Sequence, residues 1–445
     1  MSPETLHRFQ FGFTVTFHYL FPQLSMGLAL LLVFFKTREF LFNDRAAATA
    51  MDFWVRIFGI NFVFGVVTGI PMEFQFGTNW SRFSELSGGV IGSTLAQEGV
   101  FAFFLESTFL GLLLYGRRLG PKLHALSTLA VFAGAWLSGY FITCTNSWMQ
   151  HPVGATLGPG GFVLNDLGAV LVNPWQLWAY PHVMLGACLT GATVMASVGA
   201  YYLLAGRHEA QARLYTRLGV GVALAAAVAL AFPTGDGLAR TVAADQPAAF
   251  AGMEALFHSA SPAPLAIIGQ PDVERRTLDN PIEVPGVLSF LTYRSWHAQV
   301  QGLDTVPQAD WPPNVPLLYY AYHIMVGLGT LLLALMAAAA LALVGGRLWR
   351  MRWLQWLLLL ALPLPYIANT FGWMTAETGR QPWLVLGLMR TAAGDSSRVG
   401  AGTVMFTLLG FMGLYALLSM LFLALMGREL AHGPADAPGL PLEGR

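Results

Sequence analysis

Charged residues are scarce in this sequence of 445 residues. Asp, Glu, Lys and Arg make up 11% of it, hydrophobic residues make up 55%, and the mean hydropathy is +0.55. Since a soluble domain carries roughly 25% charged residues, this composition excludes a soluble globular protein and predicts an integral membrane protein. The formal net charge is zero, which argues against nucleic acid as a partner.

Cysteine is almost missing: the sequence has only Cys144 and Cys188. Both lie in apolar stretches on different predicted helices, and neither belongs to a C-x-x-C or C-x-x-C-H motif. This pattern excludes a cysteine-held zinc or iron–sulfur centre and a covalently attached haem. We interpret both cysteines as small core residues.

The sequence also lacks the strand-like alternation of an outer-membrane barrel and an internal repeat of the kind found in transporters. It has instead long apolar runs, each able to supply the about 20 residues that a membrane-spanning helix needs. We count nine, at approximately 9–35, 53–76, 94–115, 123–146, 178–204, 215–233, 316–343, 354–376 and 402–426. They predict an all-α integral membrane protein, a bundle of about nine transmembrane helices.

Basic residues cluster in alternate connections between these runs. Those after runs one, three, five and seven carry Lys36, Arg38, Arg45, Arg117, Arg118, Lys122, Arg207, Arg213, Arg217, Arg347, Arg350 and Arg352. The positive-inside rule then predicts that the N-terminus is outside and the C-terminus cytoplasmic. The chain divides accordingly into spans one to six (1–233), an extracytoplasmic loop (234–313), spans seven to nine (314–430) and a short cytoplasmic tail (431–445). Long loops of this kind are commonly functional.

Five ionisable side chains lie inside or at the rim of the apolar runs, where each costs at least about 2.5–3.5 kcal/mol on insertion scales. They are His18, His182, Glu98, Glu106 and Glu377. In the predicted topology, all of these except Glu106 converge with Met325 on the outer half of the membrane, from five different helices. This convergence predicts a binding site.

The residue types in this set suggest haem, because histidine and methionine are axial ligands of its iron and a hydrophobic bundle can enclose the macrocycle. His182 with Met325 would make a saturated, low-spin, electron-transfer site. His18 or Glu377 alone would leave a sixth position open for a gas ligand. His323 lies two residues before Met325, a rotation of about 200°, so the two cannot face the same haem. Spacing alone also allows His182 to pair with His323.

Glu98 and Glu106 are eight residues apart in the third run. Eight α-helical residues advance about 12 Å and end about 80° away from the starting direction. The spacing therefore predicts two stations on a broadly common face, with Glu106 deeper toward the cytoplasm, as a proton relay requires. The alternative is a structural hydrogen bond between helices.

Five motifs resemble subunit I of the cytochrome bd-type quinol oxidases, in that family's order and spacing. They are FHYLFP around His18, QEGVFAFFLESTF at Gln97–Phe109, NSWMQHPVG at Asn146–Gly154, GWMTAE at Gly372–Glu377 and GRQPW at Gly379–Trp383. The resemblance implies a terminal oxidase of the bacterial cytoplasmic (inner) membrane, with the loop after span six as a short quinol loop. Such an enzyme oxidises quinol outside and reduces dioxygen to water with cytoplasmic protons, generating proton motive force without pumping.

The resemblance further implies two b-type haems and a third haem, either haem d or another b-type haem. Matched by position, His182 and Met325 would ligate the low-spin b haem, and His18 and Glu377 the oxygen-reducing pair of haems. The remaining matched residues are Trp373 and Arg380 around that pair, Glu98, Glu106, Ser138 and Asn146 on or near the proton path, and Glu254 at the quinol site.

Two positions depart from the family's pattern. Ala249 stands five residues before Glu254, where the family usually has a lysine, and this change bears on quinol affinity and on the type of quinone. His323 stands two residues before Met325, where an arginine is frequent. A fixed cation near the low-spin haem would stabilise its reduced form, so a titratable histidine would lower its potential or couple it to pH.

As partners, the resemblance implies subunit II of the oxidase in a heterodimer, room for a small single-span accessory subunit, and membrane lipid, with quinol and dioxygen as substrates. Two other interpretations stay open on the residues alone. One is an electron-carrying membrane cytochrome b that does not react with oxygen. The other is a haem-free secondary transporter that uses the carboxylates for proton coupling.

Overall fold

The computed structural model describes residues 3–435, so the end of the predicted tail (436–445) lies outside the described residues. Within residues 3–435, nine helical segments are long and apolar enough to cross a membrane. In chain order, spans one to nine are Pro3–Phe42, Arg45–Thr78, Ser81–Leu119, Pro121–Gln150, Gln176–Ala205, Glu209–Asp245, Val315–Arg350, Arg352–Gly379 and Ala401–His432. The predicted bundle of about nine helices is confirmed.

The helices extend beyond the apolar runs, and capping residues mark three of their ends. Span two begins after Asp44, whose side chain accepts a hydrogen bond from the backbone N–H of Ala47. Asn314 caps span seven in the same way, and span five ends at Gly206 in the left-handed conformation. Each cap satisfies backbone groups that the helix end leaves without partners.

Four spans are not regular α-helices along their whole length. Span three consists of Ser81–Gln97, a π-helix Glu98–Phe103, Phe104–Tyr115 and a 3-10 turn Gly116–Leu119. Span six consists of Glu209–Ala229, a π-helix Leu230–Gly235 and Asp236–Asp245. Span seven consists of Val315–Leu343 and a 3-10 segment Val344–Arg350, and span eight of Arg352–Leu360 and Leu364–Gly379. In span six the kink falls at Phe232 and Pro233, where proline removes a backbone donor. π-Helical turns frequently mark functional sites.

Span five is the central helix of the bundle, and most of its residues are buried. It lies directly against span one, because a methyl group on Gly27 would collide with the backbone carbonyl of Ala187. Span six packs on its other side, where Gly219 faces the backbone of Ala192 and Ala196. Glycine at these crossings lets the helix backbones approach closely, as is common in membrane proteins.

Short elements occupy the connections. The loop between spans six and seven contains a helix Pro247–Met253, which we call the loop helix, an antiparallel hairpin Leu265–Asp272 with Thr277–Val284, and a helix Val287–Tyr293. Elsewhere there are hairpins Ala155–Gly158 with Gly161–Leu164 and Trp383–Val385 with Met389–Arg390, and a helix Leu167–Leu171. The predicted loop boundary at 233/234 falls inside the π-helix of span six, whose helix continues to Asp245.

The basic connections meet at one end of the bundle. Arg117, after span three, forms ion pairs with Glu39, after span one, and with Asp52 near the start of span two. Arg56 pairs with Glu429 at the end of span nine. The opposite end carries the loop helix and its hairpin, so the positive charge is concentrated away from the long loop.

Candidate functional site

The carboxylate of Glu377 is the centre of a polar cluster in the last turn of span eight. Asn146 of span four donates a hydrogen bond from Nδ2 to Glu377 Oε1 over 2.6 Å, and Arg380 donates from Nη2 to Oε2. Arg380 is only 3% exposed, yet its Nε and Nη1 atoms have no hydrogen-bond partner in the described part of the chain. Glu377 keeps 39% of its side-chain surface accessible. A buried guanidinium with free donors suits a further carboxylate ligand.

His18 lies in span one with one ring nitrogen engaged. Its Nδ1 is 3.1 Å from the hydroxyl of Thr68 in span two, and a methyl group on Gly69 would lie 3.0 Å from its Cε1. The contact at Nδ1 orients the ring and leaves Nε2 to face a ligand, which is how a metal-binding histidine is usually held. Thr68 and Gly69 thus form the contact surface on span two against which the imidazole packs.

Span one and span eight meet beside His18 and Glu377. The ring of Tyr19, the residue after His18, contacts the ring of Trp373 edge to face at 5.8 Å between centroids. Trp373 precedes Glu377 by one helical turn. This contact joins span one, which carries His18, to span eight, which carries Trp373 and Glu377.

His182 and Met325 lie in spans five and seven. His182 Nδ1 is 3.3 Å from the hydroxyl of Thr234, in the π-helix of span six. Met325 reaches span eight, where a methyl group on Gly372 would lie 2.9 Å from its sulfur. Glycine at position 372 lets the Met325 side chain lie directly against span eight.

His323 is directed elsewhere. Its Nδ1 is 2.9 Å from the carbonyl oxygen of Tyr319 in its own helix, and its Nε2 is 3.0 Å from the carbonyl oxygen of Ala266 in the loop hairpin. With both nitrogens facing carbonyl oxygens, neither presents a lone pair to a metal ion. This geometry favours Met325 over His323 as the partner of His182, a choice that spacing left open.

Glu98 and Glu106 both face span four. Ser138 donates a hydrogen bond to Glu98 Oε1 over 2.8 Å, and Glu106 packs on Gly134, where a methyl group would lie 2.8 Å from its Cβ. Ser138 and Gly134 are four residues apart, so they lie on one face of span four. The π-helix that starts at Glu98 rotates less per residue than an α-helix, which moves the two carboxylates closer to a common face than the expected offset of about 80°.

Glu254 ends the loop helix and is 4% exposed. Its carboxyl group hydrogen-bonds to Tyr322 of span seven, and burial raises its pKa to about 8. Its Oε2 atom has no hydrogen-bond partner within residues 3–435. An acceptor of this kind, held inside a polar loop, is able to take a proton from a bound hydroxyl group.

Ala249 of the loop helix is buried against the end of span eight. A methyl group on Gly379 would lie 3.4 Å from the Ala249 Cβ, and Leu318 of span seven contacts the same glycine. The small side chain therefore lets the loop helix lie directly on the turn that carries Glu377. This is the position where the resemblance led us to expect a lysine.

Within residues 3–435 no three His, Cys, Asp or Glu side chains come together as a metal-binding cluster. Both cysteines are buried and free. His18, His182, Met325 and Glu377 are single candidate ligands, each of a type that can serve as an axial ligand of haem iron.

Sequence reasoning missed the residues that orient this set. Thr68 and Thr234 hold the two histidine rings, and Gln150, one turn after Asn146, joins span four to the loop. A hydroxyl or amide inside an apolar run is a weak signal, because such groups often bond to their own helix backbone. The role of each of these polar groups becomes visible only from its contacts with neighbouring helices.

Comparisons with known proteins show the family to which the chain is similar. The family described as cytochrome bd terminal oxidase subunit I matches residues 6–434. Cytochrome bd ubiquinol oxidase subunit 1 of Bacillus subtilis (strain 168) is 36% identical to this chain over 451 residues, covering 97% of the chain and 94% of that relative. Cytochrome bd-II ubiquinol oxidase subunit 1 of Escherichia coli (strain K12) is 30% identical over 498 residues, covering 97% and 96%.

A solved structure is similar over the same length. A chain in the structure of bd oxidase from Geobacillus thermodenitrificans aligns with a TM-score of 0.89 and 31% sequence identity, covering 97% of this chain and 99% of that one. The sequence comparison and the structural comparison therefore each cover 97% of this chain.

Proposed function

On the premise that this chain belongs to the cytochrome bd terminal oxidase subunit I family, which the match over residues 6–434 shows, we propose that it is the haem-binding catalytic subunit of a bacterial terminal oxidase. It is a quinol oxidoreductase of a multi-pass membrane type. In the proposed reaction, quinol is oxidised outside and dioxygen is reduced to water with cytoplasmic protons, building a proton motive force without a pump. The observation that carries the proposal is the hydrogen-bonded cluster of Asn146, Glu377 and the buried Arg380.

Haem, when bound, supplies iron that carries electrons and binds oxygen. His182 and Met325 would hold a low-spin b-type haem, and His18 and Glu377 the two haems of the oxygen-reducing centre, the third haem being of the d or b type. The unpartnered donors of Arg380 suit a haem propionate, since a guanidinium binds carboxylates through two parallel hydrogen bonds. Trp373 packs beside the same centre.

Protons would reach the centre along span three. Glu106 takes a proton from the cytoplasmic side, and Glu98, held by Ser138, passes it toward Asn146 and Glu377. Because both carboxylates face the same side of span four, water molecules between the helices would need to bridge about two helical turns, or about 12 Å along span three. Carboxylates at membrane depth that face the bundle interior commonly serve as such relays.

Quinol would bind at the loop helix, with Glu254 as the proton acceptor for its hydroxyl group. Tyr322 hydrogen-bonds the carboxyl group and holds it in place. The release of these protons outside, and the uptake of others inside, separates charge across the membrane. Ala249 provides no positive charge beside this site, so hydrogen bonding and fit to the ring would decide which quinone is used.

The distribution of basic and apolar residues on the surface supports an orientation of the chain in the membrane and a partner subunit. The basic connections lie at the end away from the long loop, which favours a cytoplasmic position for that end and an inner-membrane location. Span three exposes Val100, Phe101 and Phe104 beside Glu98, so the relay lies under an uncovered apolar surface. We propose that subunit II of the oxidase covers it, in a heterodimer that leaves room for a small single-span accessory subunit.

Absorption spectra of the purified complex, reduced and with or without carbon monoxide, test the proposal. We expect one low-spin haem that does not react and at least one haem that binds carbon monoxide, together with quinol-dependent oxygen consumption. An electron-carrying cytochrome b would show only unreactive haem, and a proton-coupled transporter would show none. Either of the last two results would refute the oxidase assignment.

A further inference from the structure

Gln150, the last residue of span four, lies at the point where three elements meet. It is 1% exposed. Its side-chain Nε2 donates to the carbonyl oxygen of Ala376, the residue before Glu377, over 3.2 Å. Its Oε1 accepts a hydrogen bond from Gln246 Nε2 over 2.8 Å, and its backbone carbonyl lies 3.0 Å from the same nitrogen.

Gln246 is the corner between two helices of the long loop. It ends Asp236–Asp245 and precedes Pro247, the first residue of the loop helix, and it is 5% exposed. A single buried amide pair therefore ties the start of the loop helix to the end of span four. Through the Ala376 carbonyl, the same pair is tied to the turn of span eight that carries Glu377.

Two further contacts join the same elements. His151, next to Gln150, forms an ion pair with Asp245, next to Gln246, at 3.2 Å when the histidine is protonated. One turn into the loop helix, Ala249 packs on Gly379. The amide pair and the Ala249 contact are both buried, and of the three contacts the amide pair is the one that hydrogen-bonds to the backbone of Ala376, beside Glu377.

We propose that Gln150 is a positioning residue, which fixes the loop helix relative to the Glu377 turn of span eight and so aligns the quinol site with the oxygen-reducing centre. This inference rests on the proposed function. Gln150 itself touches neither quinol nor haem in this arrangement. It acts through Gln246 on one side and through the Ala376 carbonyl on the other.

The physical reason is the cost of an unpaired buried amide. Gln150 is almost fully buried, so losing one partner of its two hydrogen bonds leaves a buried polar group unsatisfied. The loop helix has only seven residues, too few to hold its own position. Its placement therefore depends on such tertiary contacts.

The test uses the purified, haem-loaded complex and four variants. Gln150→Leu removes both bonds. Gln150→Glu keeps the acceptor for Gln246 and removes the donor to Ala376, while Gln246→Leu does the reverse. The matched control is Gln355→Leu, because Gln355 is also a buried glutamine of this bundle, with bonds to the carbonyls of Leu348 and Trp349 at the opposite end of span eight.

We expect Gln150→Leu to raise the KM for quinol about fivefold, the size of one lost buried hydrogen bond, with a smaller change in kcat. Amide hydrogen exchange in residues 236–253 should become faster, and the band of the carbon monoxide-reactive haem should shift. Gln246→Leu should reproduce the KM and exchange changes without the band shift. Gln150→Glu should reproduce the band shift with a nearly normal KM.

The proposal fails if Gln150→Leu matches Gln355→Leu in KM and in hydrogen exchange of residues 236–253. Should Gln150→Leu not assemble, the Gln150→Glu and Gln246→Leu pair decides, because the two are expected to separate the effects. Wild-type complex without carbon monoxide-reactive haem would instead refute the proposed function, and hydrogen exchange would still report whether Gln150 holds the loop helix.

Discussion

Asn146 and Glu377 are 231 positions apart in the sequence, and the Asn146 amide donates to the Glu377 carboxylate over 2.6 Å. This bond joins the NSWMQHPVG motif at the end of span four to the GWMTAE motif at the end of span eight. Because Arg380 binds the other carboxylate oxygen, the carboxylate plane is fixed from both sides. A carboxylate held in this way has little freedom to change its orientation.

Replacing Asn146 with Leu should disturb the oxygen-reducing centre without unfolding the bundle. Loss of the amide frees one carboxylate oxygen, and removing such a partner of a metal ligand typically costs about 10- to 100-fold in activity. We expect oxygen consumption per haem to fall by at least about tenfold, with a shifted carbon monoxide difference spectrum. Asn165→Leu, at an exposed hydrogen bond beside a hairpin, serves as the control. Normal turnover in Asn146→Leu would show that the contact is only structural.

Met325→Leu and His323→Ala should have different effects on the low-spin haem. Leucine fills the space against Gly372 but offers no sulfur, so we expect the reduced low-spin band to disappear or its haem to become reactive to carbon monoxide. His323→Ala leaves the carbonyl oxygens of Tyr319 and Ala266 without this partner, so the band should remain with a changed potential. Redox titration of both variants measures this. Loss of the low-spin band in His323→Ala alone would reverse the assignment.

Glu106→Gln tests the proton relay, because glutamine keeps the shape and loses the titratable group. Haem content should stay close to normal and electrons from quinol should still reach the haems, while oxygen turnover falls by about a hundredfold, the usual contribution of a positioned proton donor. Glu98→Gln, at the proposed relay residue nearer the Glu377 end of the bundle, should lower haem content as well. Oxygen consumption per haem, measured beside the haem spectrum, separates the two.

Glu85→Gln is the control for this series, since Glu85 lies on the same span but is exposed. It should leave turnover and haem content unchanged. If Glu106→Gln consumed oxygen at the wild-type rate, the carboxylate would be structural and the protons would reach the centre by another route.

Glu254 predicts a specific pH dependence of quinol oxidation. Burial raises the pKa of this carboxyl group to about 8, so it is mostly protonated at pH 7 and becomes a proton acceptor as the pH rises. We expect kcat/KM for quinol to increase up to about tenfold per pH unit below pH 8 and to level off above it. Glu254→Gln should remove this rise and lower kcat/KM throughout.

The same group has a stability effect of known sign. A carboxyl group whose folded-state pKa is raised binds more protons in the folded than in the unfolded state, so the folded state loses stability as the pH rises from about 4.5 to about 8. Glu254→Gln removes this loss, and its Tm should exceed that of the wild type at pH 9 but not at pH 5. Equal Tm differences at the two pH values would contradict the burial of a titrating carboxyl group.

Subunit II should be required for full activity. Val100, Phe101 and Phe104, in and next to the π-helix that carries Glu98, are exposed, so the apolar side of this segment of span three would face lipid in the isolated chain. We expect the chain expressed alone to show less than about a tenth of the oxygen consumption per haem of the complex. Full activity of the isolated chain would show that the site is complete without a partner.

A serine substitution at Phe101 should weaken copurification of the two subunits, and one at Phe406 on span nine is the matched control.

The nine spans could be predicted from the sequence because a lipid environment allows few alternatives. A backbone inside the bilayer must satisfy its hydrogen bonds internally, so a long apolar run has to be a helix. Ionisable groups inside such runs are costly enough to mark a site by themselves. His18, Glu98 and Glu377 could therefore be selected before any contact between helices was known.

The contacts themselves depended on the rotation and depth of each helix, which packing sets. The π-helix at Glu98–Phe103 changes the rotation between Glu98 and Glu106, and the residue pattern did not predict this π-helix. Spacing could not choose between Met325 and His323, whereas the carbonyl oxygens of Tyr319 and Ala266 occupy both nitrogens of His323.

The sequence by itself thus determined which segments cross the membrane and which side chains must be buried at a cost, since both follow from the transfer of local groups out of water. Only the tertiary structure decided which of those side chains touch. Asn146 binds Glu377, and Gln150 binds Gln246, because spans four and eight end at the same depth beside the loop helix. That coincidence arises from packing between helices distant in the chain, and no local pattern of residues encodes it.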